Sequence, residues 1–385
     1  MKIFLTGATG FLGGELLVLL SKNPKIEKIY FLIRAKDEDV DINVRSRKIF
    51  SVHKDLFDKS KIIPVIGDMQ DPSLSEKLLS VRDLSDVDTV IHSAANTSFS
   101  KMYDNLVERV NIGGTKQILA WAKTLKNLKT FVYVGTAHIC GRNAKGIISE
   151  DESPNPDAKH LVKYCYTKSE GEKIVTEVIN KEKLLVVRPS ILLGDSRPWL
   201  PRSYVIMWAF AGFNLMRLIP MREDAPLDVI SVDYAARAII SLLFAKRNHT
   251  VYHISAGKSS SSDIGKSVRS MLIGEGFPDP KFIPYRDVVK IKNWTRKNLD
   301  PSSDFAMEND EYFTHIKKVL GNGDLRILLG ALDDYFKFGN LGQIFDNTRM
   351  LEDTGMVPPE PVHVYMERNR HQIANIDVMS GTLDP

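Results

Sequence analysis

A strand that breaks into glycines and restarts as an apolar helix constrains this chain more than any other feature. Lys2–Thr6 reads as a buried strand, and Gly7-Ala-Thr9-Gly10-Phe11-Leu12-Gly13-Gly14 turns straight into Glu15-Leu-Leu-Val-Leu-Leu-Ser21. Strand, glycine turn and helix form the opening of a βαβ unit of the kind that binds dinucleotides. Gly7 permits a sharp turn, Gly10 lets backbone N–H groups approach a pyrophosphate, and Gly13 lets the helix pack closely on the strand. The pyrophosphate then sits on the positive end of the helix dipole, against the turn that also carries Thr9, Phe11 and Leu12. The spacing is G-x-x-G-x-x-G rather than G-x-G-x-x-G, so an ordinary tight turn is the competing reading.

The pattern continues. Apolar, β-branched runs at Lys28–Ile33, Ile62–Ile66, Thr89–Ile91, Thr130–Val134 and Leu184–Val187 alternate with helix candidates near 73–81, 103–126 and 159–180. That alternation specifies an α/β, doubly wound parallel sheet whose ligand crevice lies at the carboxyl ends of the strands. The charged stretch Arg34–Lys59 reads as a solvated connection. After Gly194 the rhythm breaks at Pro198 and Pro201 and enters an apolar helix from Ser203 to Phe213. Short strands over Pro226–Asp233 and Thr250–Ile254 flank a helix over 233–246. The expected division is a cofactor domain over 1–200, to which 225–256 returns, and a smaller, mostly helical substrate lobe of 201–224 and 257–385. A net charge of +4 gives no argument for nucleic acid, and Cys140 and Cys165 supply no disulfide framework or metal set. With no run of about 18 apolar residues and a strand at the N-terminus, neither a spanning helix nor a signal peptide is expected; the setting is cytoplasmic.

The end of the second strand bears on the choice of dinucleotide. Arg34 follows Phe31-Leu-Ile33, with Lys36 close behind. A guanidinium holds a 2′-phosphate by paired charge-assisted hydrogen bonds, so NADP(H) is expected, with Asp37 as the counter-signal for NAD. Tyr164 and Lys168, four residues apart, share a helix face. A cation beside a phenol favours the phenolate and makes the tyrosine a general acid. Thr136 follows the strand Thr130–Val134, where its hydroxyl can hydrogen-bond a substrate carbonyl.

Gly7/Gly10/Gly13, Gly67-Asp68-Met69, His92-Ser-Ala-Ala95, Asn111-Ile-Gly-Gly-Thr115, Thr136, Tyr164/Lys168 and Arg188-Pro-Ser190 occur in the order seen in extended short-chain dehydrogenase/reductases. Within that superfamily, His92–Phe99, Gly135–Gly141, Arg188–Ser196 and Val251–Ile254 resemble the fatty acyl-CoA reductase and thioester reductase (male-sterility-type) branch. The resemblance covers roughly residues 1–255. It implies Tyr164 as the acid, Lys168 as its partner and ribose ligand, Thr136 as the group orienting the carbonyl, and Asn111 as support for a water and the lysine. It also implies Asp68 and Met69 at the adenine, Ala94 and Ala95 beneath the dinucleotide, and Pro189, Ser190 and Ile191 beside the nicotinamide. A homodimer through the 103–126 and 159–180 helices is implied as well. Gly135 stands where acyl reductases often have serine, and no adenylation or carrier segment precedes the first strand, so a thioester would arrive on free coenzyme A or a separate carrier.

The resulting expectation is an NADPH-dependent reductase of an acyl thioester, giving aldehyde and then alcohol if a second hydride follows. The rival is the same hydride chemistry on a ketone or alcohol such as a sterol, flavonoid-like or nucleotide-sugar substrate; a non-catalytic, cofactor-bound scaffold is a third. The stripe Val205, Met207, Trp208, Phe210, Phe213 and Met216 suits either an acyl pocket or a core helix, and the 203–216 segment could also rest on a lipid surface. His138 either touches substrate or packs. His92 reads as structural, and His249 and His253 are too far apart along a strand to share an ion, so no metal is expected. Arg202, Arg217, Lys258 and Lys266 are candidates for carrier phosphates or plain solvated charges.

Overall fold

The computed structural model describes residues 1–34, 42–197, 204–297 and 299–379. Its centre is a seven-stranded, all-parallel sheet: β1 (Lys2–Thr6), β2 (Lys28–Ile33), β3 (Ile62–Ile66), β4 (Thr89–His92), β5 (Thr130–Val134), β6 (Leu184–Pro189) and β7 (Val251–Ile254). The strands lie in the order β7-β6-β5-β4-β1-β2-β3. The order reverses between β1 and β4, which opens the ligand crevice of a doubly wound sheet at their carboxyl ends.

Alternation within β1 shows why both faces need helices. Ile3 and Leu5 join Leu16, Leu17 and Ile239 in one core, whereas Phe4 joins Val90, Trp121 and Phe131 in another. The Phe4 and Trp121 rings meet at 4.6 Å. Each such fully buried side chain is worth roughly 1.5–3 kcal/mol of apolar transfer. A third core, built on the helices Tyr204–Met216 and Gly321–Gly339, forms the lobe. The chain then returns to the sheet side. Ile344–Phe345 pairs in parallel with Ile147–Ile148, and Met350 joins the core that holds Ile3 and Tyr252.

Three local expectations are corrected. The charged connection after β2 contains a helix, Ile42–Ser51, while Lys36 and Asp37 lie outside the described residues. The expected helix over 103–126 is divided into Asp104–Glu108, a π-helical turn at Arg109–Gly114, and Thr115–Ala122. The stretch after Pro226 makes two strands of only two residues, Pro226–Leu227 and Val229–Ile230. Between them the buried carboxylate of Asp228 accepts from the backbone N–H groups of Ala256 at 2.8 Å and Phe345 at 3.0 Å. Among the described residues no helix is long and apolar enough to cross a membrane.

Candidate active site

The glycine turn makes a cradle that no other residues could line. Gly7 has φ +79°, and a Cβ there would lie 2.7 Å from the Ala94 nitrogen; a Cβ on Gly13 would lie 2.0 Å from the Gly7 carbonyl oxygen. Gly10 caps the helix Phe11–Lys22 without a side-chain hydrogen bond, and no acidic residue sits in that first turn. The positive helix end, with the amides of Phe11, Leu12 and Gly13, is therefore open to an anion. Thr9 is exposed in the turn. Arg34 is exposed just past β2. Asp68 follows β3 and accepts from the Gln70 N–H at 2.9 Å, beside buried Met69. Ala94 and Ala95 lie past β4, half-buried. This cradle and rim fit a dinucleotide.

Beneath the rim, at the switch point, runs a directed hydrogen-bond chain. The Thr115 hydroxyl donates to the Asn111 carbonyl at 2.6 Å, so its oxygen accepts from His92 Nε2–H at 2.9 Å. His92 Nδ1 is then the acceptor for the Thr6 hydroxyl at 2.8 Å, and Thr6 Oγ1 accepts the Ala94 N–H at 3.0 Å. Burial holds the His92 ring neutral, with its pKa pulled down to about 3. The Asn111 side chain is equally committed. Its Oδ1 accepts from Asn96 N–H, and its Nδ2 donates to the Asn96 carbonyl and to Thr167 Oγ1, at 2.8, 3.0 and 2.9 Å. Asn111 thus ties the loop after β4 to the helix Lys163–Val178. Thr167 was not singled out by sequence; only its place one residue before Lys168 hinted at it.

Tyr164 and Lys168 lie on that helix. Lys168 is 3% exposed, with Nζ 4.4 Å from the Tyr133 ring centroid on β5. Burial pulls its pKa down to about 7, against the opposing pull of Glu172. Where the four-residue spacing predicts a lowered tyrosine, burial instead raises Tyr164 well past the ordinary phenol. A protonated donor at neutral pH is the result. Thr136, 5% exposed, lies two residues past β5; its hydroxyl makes a long 3.4 Å bond to the Pro189 carbonyl and accepts the His138 N–H at 3.4 Å. Ser190 follows Pro189, its N–H on the Ile254 carbonyl.

Gly135 has a physical reason to lack a side chain. A Cβ there would come within 3.1 Å of Glu172 Oε2. Glu172 is half of a fully buried pair with Arg188, whose guanidinium also donates to the carbonyls of Glu150 and Ser153, both at 2.8 Å. Breaking such a pair costs about 3–5 kcal/mol, because the surviving charge is left buried.

Beside Tyr164 opens an apolar cavity of about 90 Å³. Phe99, His138, Cys165 and Ile191 line it from the sheet side; Ile206, Ala209, Phe210, Phe213, Ile264, Tyr335 and Phe338 line it from the lobe. The apolar stripe is both things at once: Phe210 and Phe213 face the cavity, whereas Met207, Trp208 and Met216 pack into the lobe core. Val205 and Arg202 lie outside the described side chains. Ile191 lines this cavity. His138 is neutral, its pKa pulled down to about 4 by burial, and the thiols of Cys140 and Cys165 are pushed up by burial. Arg217 is no phosphate ligand: it is 4% exposed, and its guanidinium donates to the carbonyls of Asn214, Ile273 and Pro278. Lys258 and Lys266 are exposed, the latter 3.4 Å from Asp263. Among the described residues no cluster of three His, Cys, Asp or Glu side chains could hold a metal. A larger groove of about 780 Å³, lined by Leu19, Tyr234, Arg237 and Val357, contains none of the chemistry-bearing residues.

A sequence-family profile described as male sterility protein, of the NAD-binding type, matches residues 5–239, more than half of the chain. Fatty acyl-CoA reductase 1 of Homo sapiens is 29% identical over 308 residues, 67% of this chain and 58% of that protein. Fatty acyl-CoA reductase 2, chloroplastic, of Arabidopsis thaliana is 32% identical over 163 residues, 39% of this chain and 26% of that protein. The chain therefore spans well under two thirds of these relatives. Among solved structures, the terminal R domain of the myxalamid PKS-NRPS pathway superposes with a TM-score of 0.71 at 23% identity, covering 97% of this chain and 90% of that one.

Proposed function

The chain belongs to the male sterility protein family of NAD-binding domains, and from that premise we propose that it is an NADPH-dependent reductase of an acyl thioester. The observation that carries this reading is Tyr164, a half-buried phenol held protonated, which lines an almost wholly apolar cavity. An acyl chain suits that cavity far better than a sugar or nucleotide does, because unpaired polar groups are costly to bury. Relatives described as fatty acyl-CoA reductases agree with this.

A bound nicotinamide dinucleotide supplies the hydride. Gly7, Gly10 and Gly13 would hold its pyrophosphate, Asp68 and Met69 its adenine, and Arg34 the 2′-phosphate that favours NADP(H). Thr136 and Tyr164 donate hydrogen bonds to the thioester carbonyl oxygen, where negative charge grows as the carbonyl carbon is reduced. Tyr164 passes its proton to that oxygen, and the Lys168 ammonium steadies the phenolate left behind. As the hemithioacetal collapses, the proton returns to Tyr164, the C–S bond breaks, and thiolate departs to leave aldehyde. Asn111 positions this helix against the loop after β4. The same reading carries a homodimer through the helices near 104–122 and 163–178.

The test is NADPH oxidation with a panel of acyl-coenzyme A thioesters while free thiol is titrated. Thiol released in step with NADPH, and lost in Tyr164→Phe, is the expected result. Turnover on ketones or alcohols but on no thioester overturns the reading.

A further inference from the structure

We propose that Tyr133 and Glu172 are positioning residues that keep the buried Lys168 side chain a cation; this rests on the reading of Lys168 as the partner of Tyr164. Tyr164, Lys168 and Glu172 follow one another at four-residue steps, so the helix Lys163–Val178 presents them in one row. Lys168 is buried. A buried ammonium sheds its proton unless an opposing charge or an aromatic face meets it.

Both are present here. From β5, the centroid of the Tyr133 ring lies 4.4 Å from Lys168 Nζ, within cation–π range. The same residue holds Lys168 at its other end, since the Tyr133 hydroxyl donates to the Lys168 carbonyl at 3.2 Å. That grip needs Gly171, because a Cβ there would overlap the Tyr133 hydroxyl. One turn along the row, Glu172 supplies the negative charge that acts on Lys168. Its carboxylate is fixed from β6: Arg188 Nε donates to both oxygens at 3.1 Å, and a second guanidinium nitrogen donates to Oε1 at 2.5 Å. Gly135 leaves room beside the other oxygen. The other titratable groups near the lysine, among the described residues, do not compete. His92 on β4, 6.0 Å from the Tyr133 ring, is neutral, and the phenols of Tyr133 and Tyr164 are held protonated by burial. Arg188 is charged but turned to Glu172 and to the carbonyls of Glu150 and Ser153. Without the ring or the carboxylate, burial should win and the lysine should lose its proton at lower pH.

The experiment follows the alkaline limb of kcat/KM for the full-length protein with NADPH and an acyl-coenzyme A thioester. Beside it, a carbon-13 NMR titration follows Lys168 Cε in lysine-labelled protein, its signal assigned by its loss in Lys168→Arg. In the unaltered protein the two midpoints should coincide. Tyr133→Leu and Glu172→Gln should each move both midpoints toward acid by at least about half a pH unit. Tyr133→Phe keeps the ring and loses only the hydroxyl, so it should hold them within about 0.2 of a pH unit. Glu172→Gln leaves Arg188 buried without its counter-charge; if that variant does not fold, its combination with Arg188→Met, which removes both charges, carries the same expectation. Unmoved midpoints in folded Tyr133→Leu or in the folded Glu172 variant, whatever happens to kcat, overturn the proposal for that residue. A limb in the unaltered protein that does not follow the Lys168 titration overturns it for both. No turnover on any thioester overturns the thioester reading, while the Cε titration, which needs no substrate, still decides this proposal.

Discussion

The glycine cradle after β1 and the apolar cavity beside Tyr164 are made in opposite ways. The cradle is made by omission. Within one short stretch, Gly7, Gly10, Gly13 and Gly14 leave out side chains so that backbone and helix dipole can meet a ligand. The cavity is made by filling. Rings and aliphatic groups from the loop at Phe99, the turn at His138, the helix Tyr204–Met216 and the end of Gly321–Gly339 converge until little space is left. A site made of backbone is local and intolerant; a site made of side chains is dispersed and tunable.

The largest effect that could break this contrast is a methyl group in the cradle. Gly13→Ala puts a Cβ 2.0 Å from the Gly7 oxygen, and NADPH binding, read by fluorescence titration, should weaken at least about 100-fold. Gly113→Ala, whose Cβ would meet nothing within 4 Å, should leave binding within about twofold and so serves as the control. Next comes the phenol that lines the cavity. Tyr164→Phe should lower kcat about 10²- to 10⁴-fold while the NADPH Kd changes less than about threefold.

A smaller effect sharpens the comparison through pH. Lys168 titrates near 7 because it is buried. Its cation is lost as pH rises through that value, so kcat/KM should be flat below about 7 and fall above it; Lys168→Arg should remove that limb. The stability sign is the reverse. A lysine whose folded pKa lies below its unfolded value leaves the unfolded state holding more protons between about 7 and 10. Stability contributed by this residue therefore rises with pH over that window, and urea unfolding of Lys168→Met should show a shallower rise. Smallest is the rim of the cradle: Arg34→Ala should raise the KM for NADPH about tenfold and leave that for NADH unchanged.

The same contrast explains what could be read from the sequence. The strands of the sheet were legible because each is a short β-branched run, and the cradle because its glycines recur every third residue within one short stretch. Thr136, Tyr164 and Lys168 stood out by chemistry and spacing. Phe99, Tyr335 and Phe338 did not, since an aromatic residue far along the chain carries no local sign of where its ring will point. The helix Ile42–Ser51 hid in a charged stretch whose apolar positions are sparse. The π-helical turn at Arg109–Gly114 was invisible for a different reason: it sits where Asn111 is held by partners fifteen and fifty-six residues away. The Arg188–Glu172 pair escaped notice too, although its consequence, the bare Gly135, was visible.

The late return of the chain to the sheet has a consequence in time. Gln343 donates to the Gly141 carbonyl across 202 residues of sequence, and the strand that follows it closes behind His138. During synthesis Thr136, Tyr164 and Lys168 all exist long before their rear wall does. Contacts of such separation are costly to form early, because the intervening loop must close first. The parallel sheet is thus expected to assemble first as an inactive scaffold, which the segment following Gln343 then completes. In refolding from urea, far-ultraviolet dichroism should recover ahead of turnover, and the lag between them measures how long the sheet waits for that late segment.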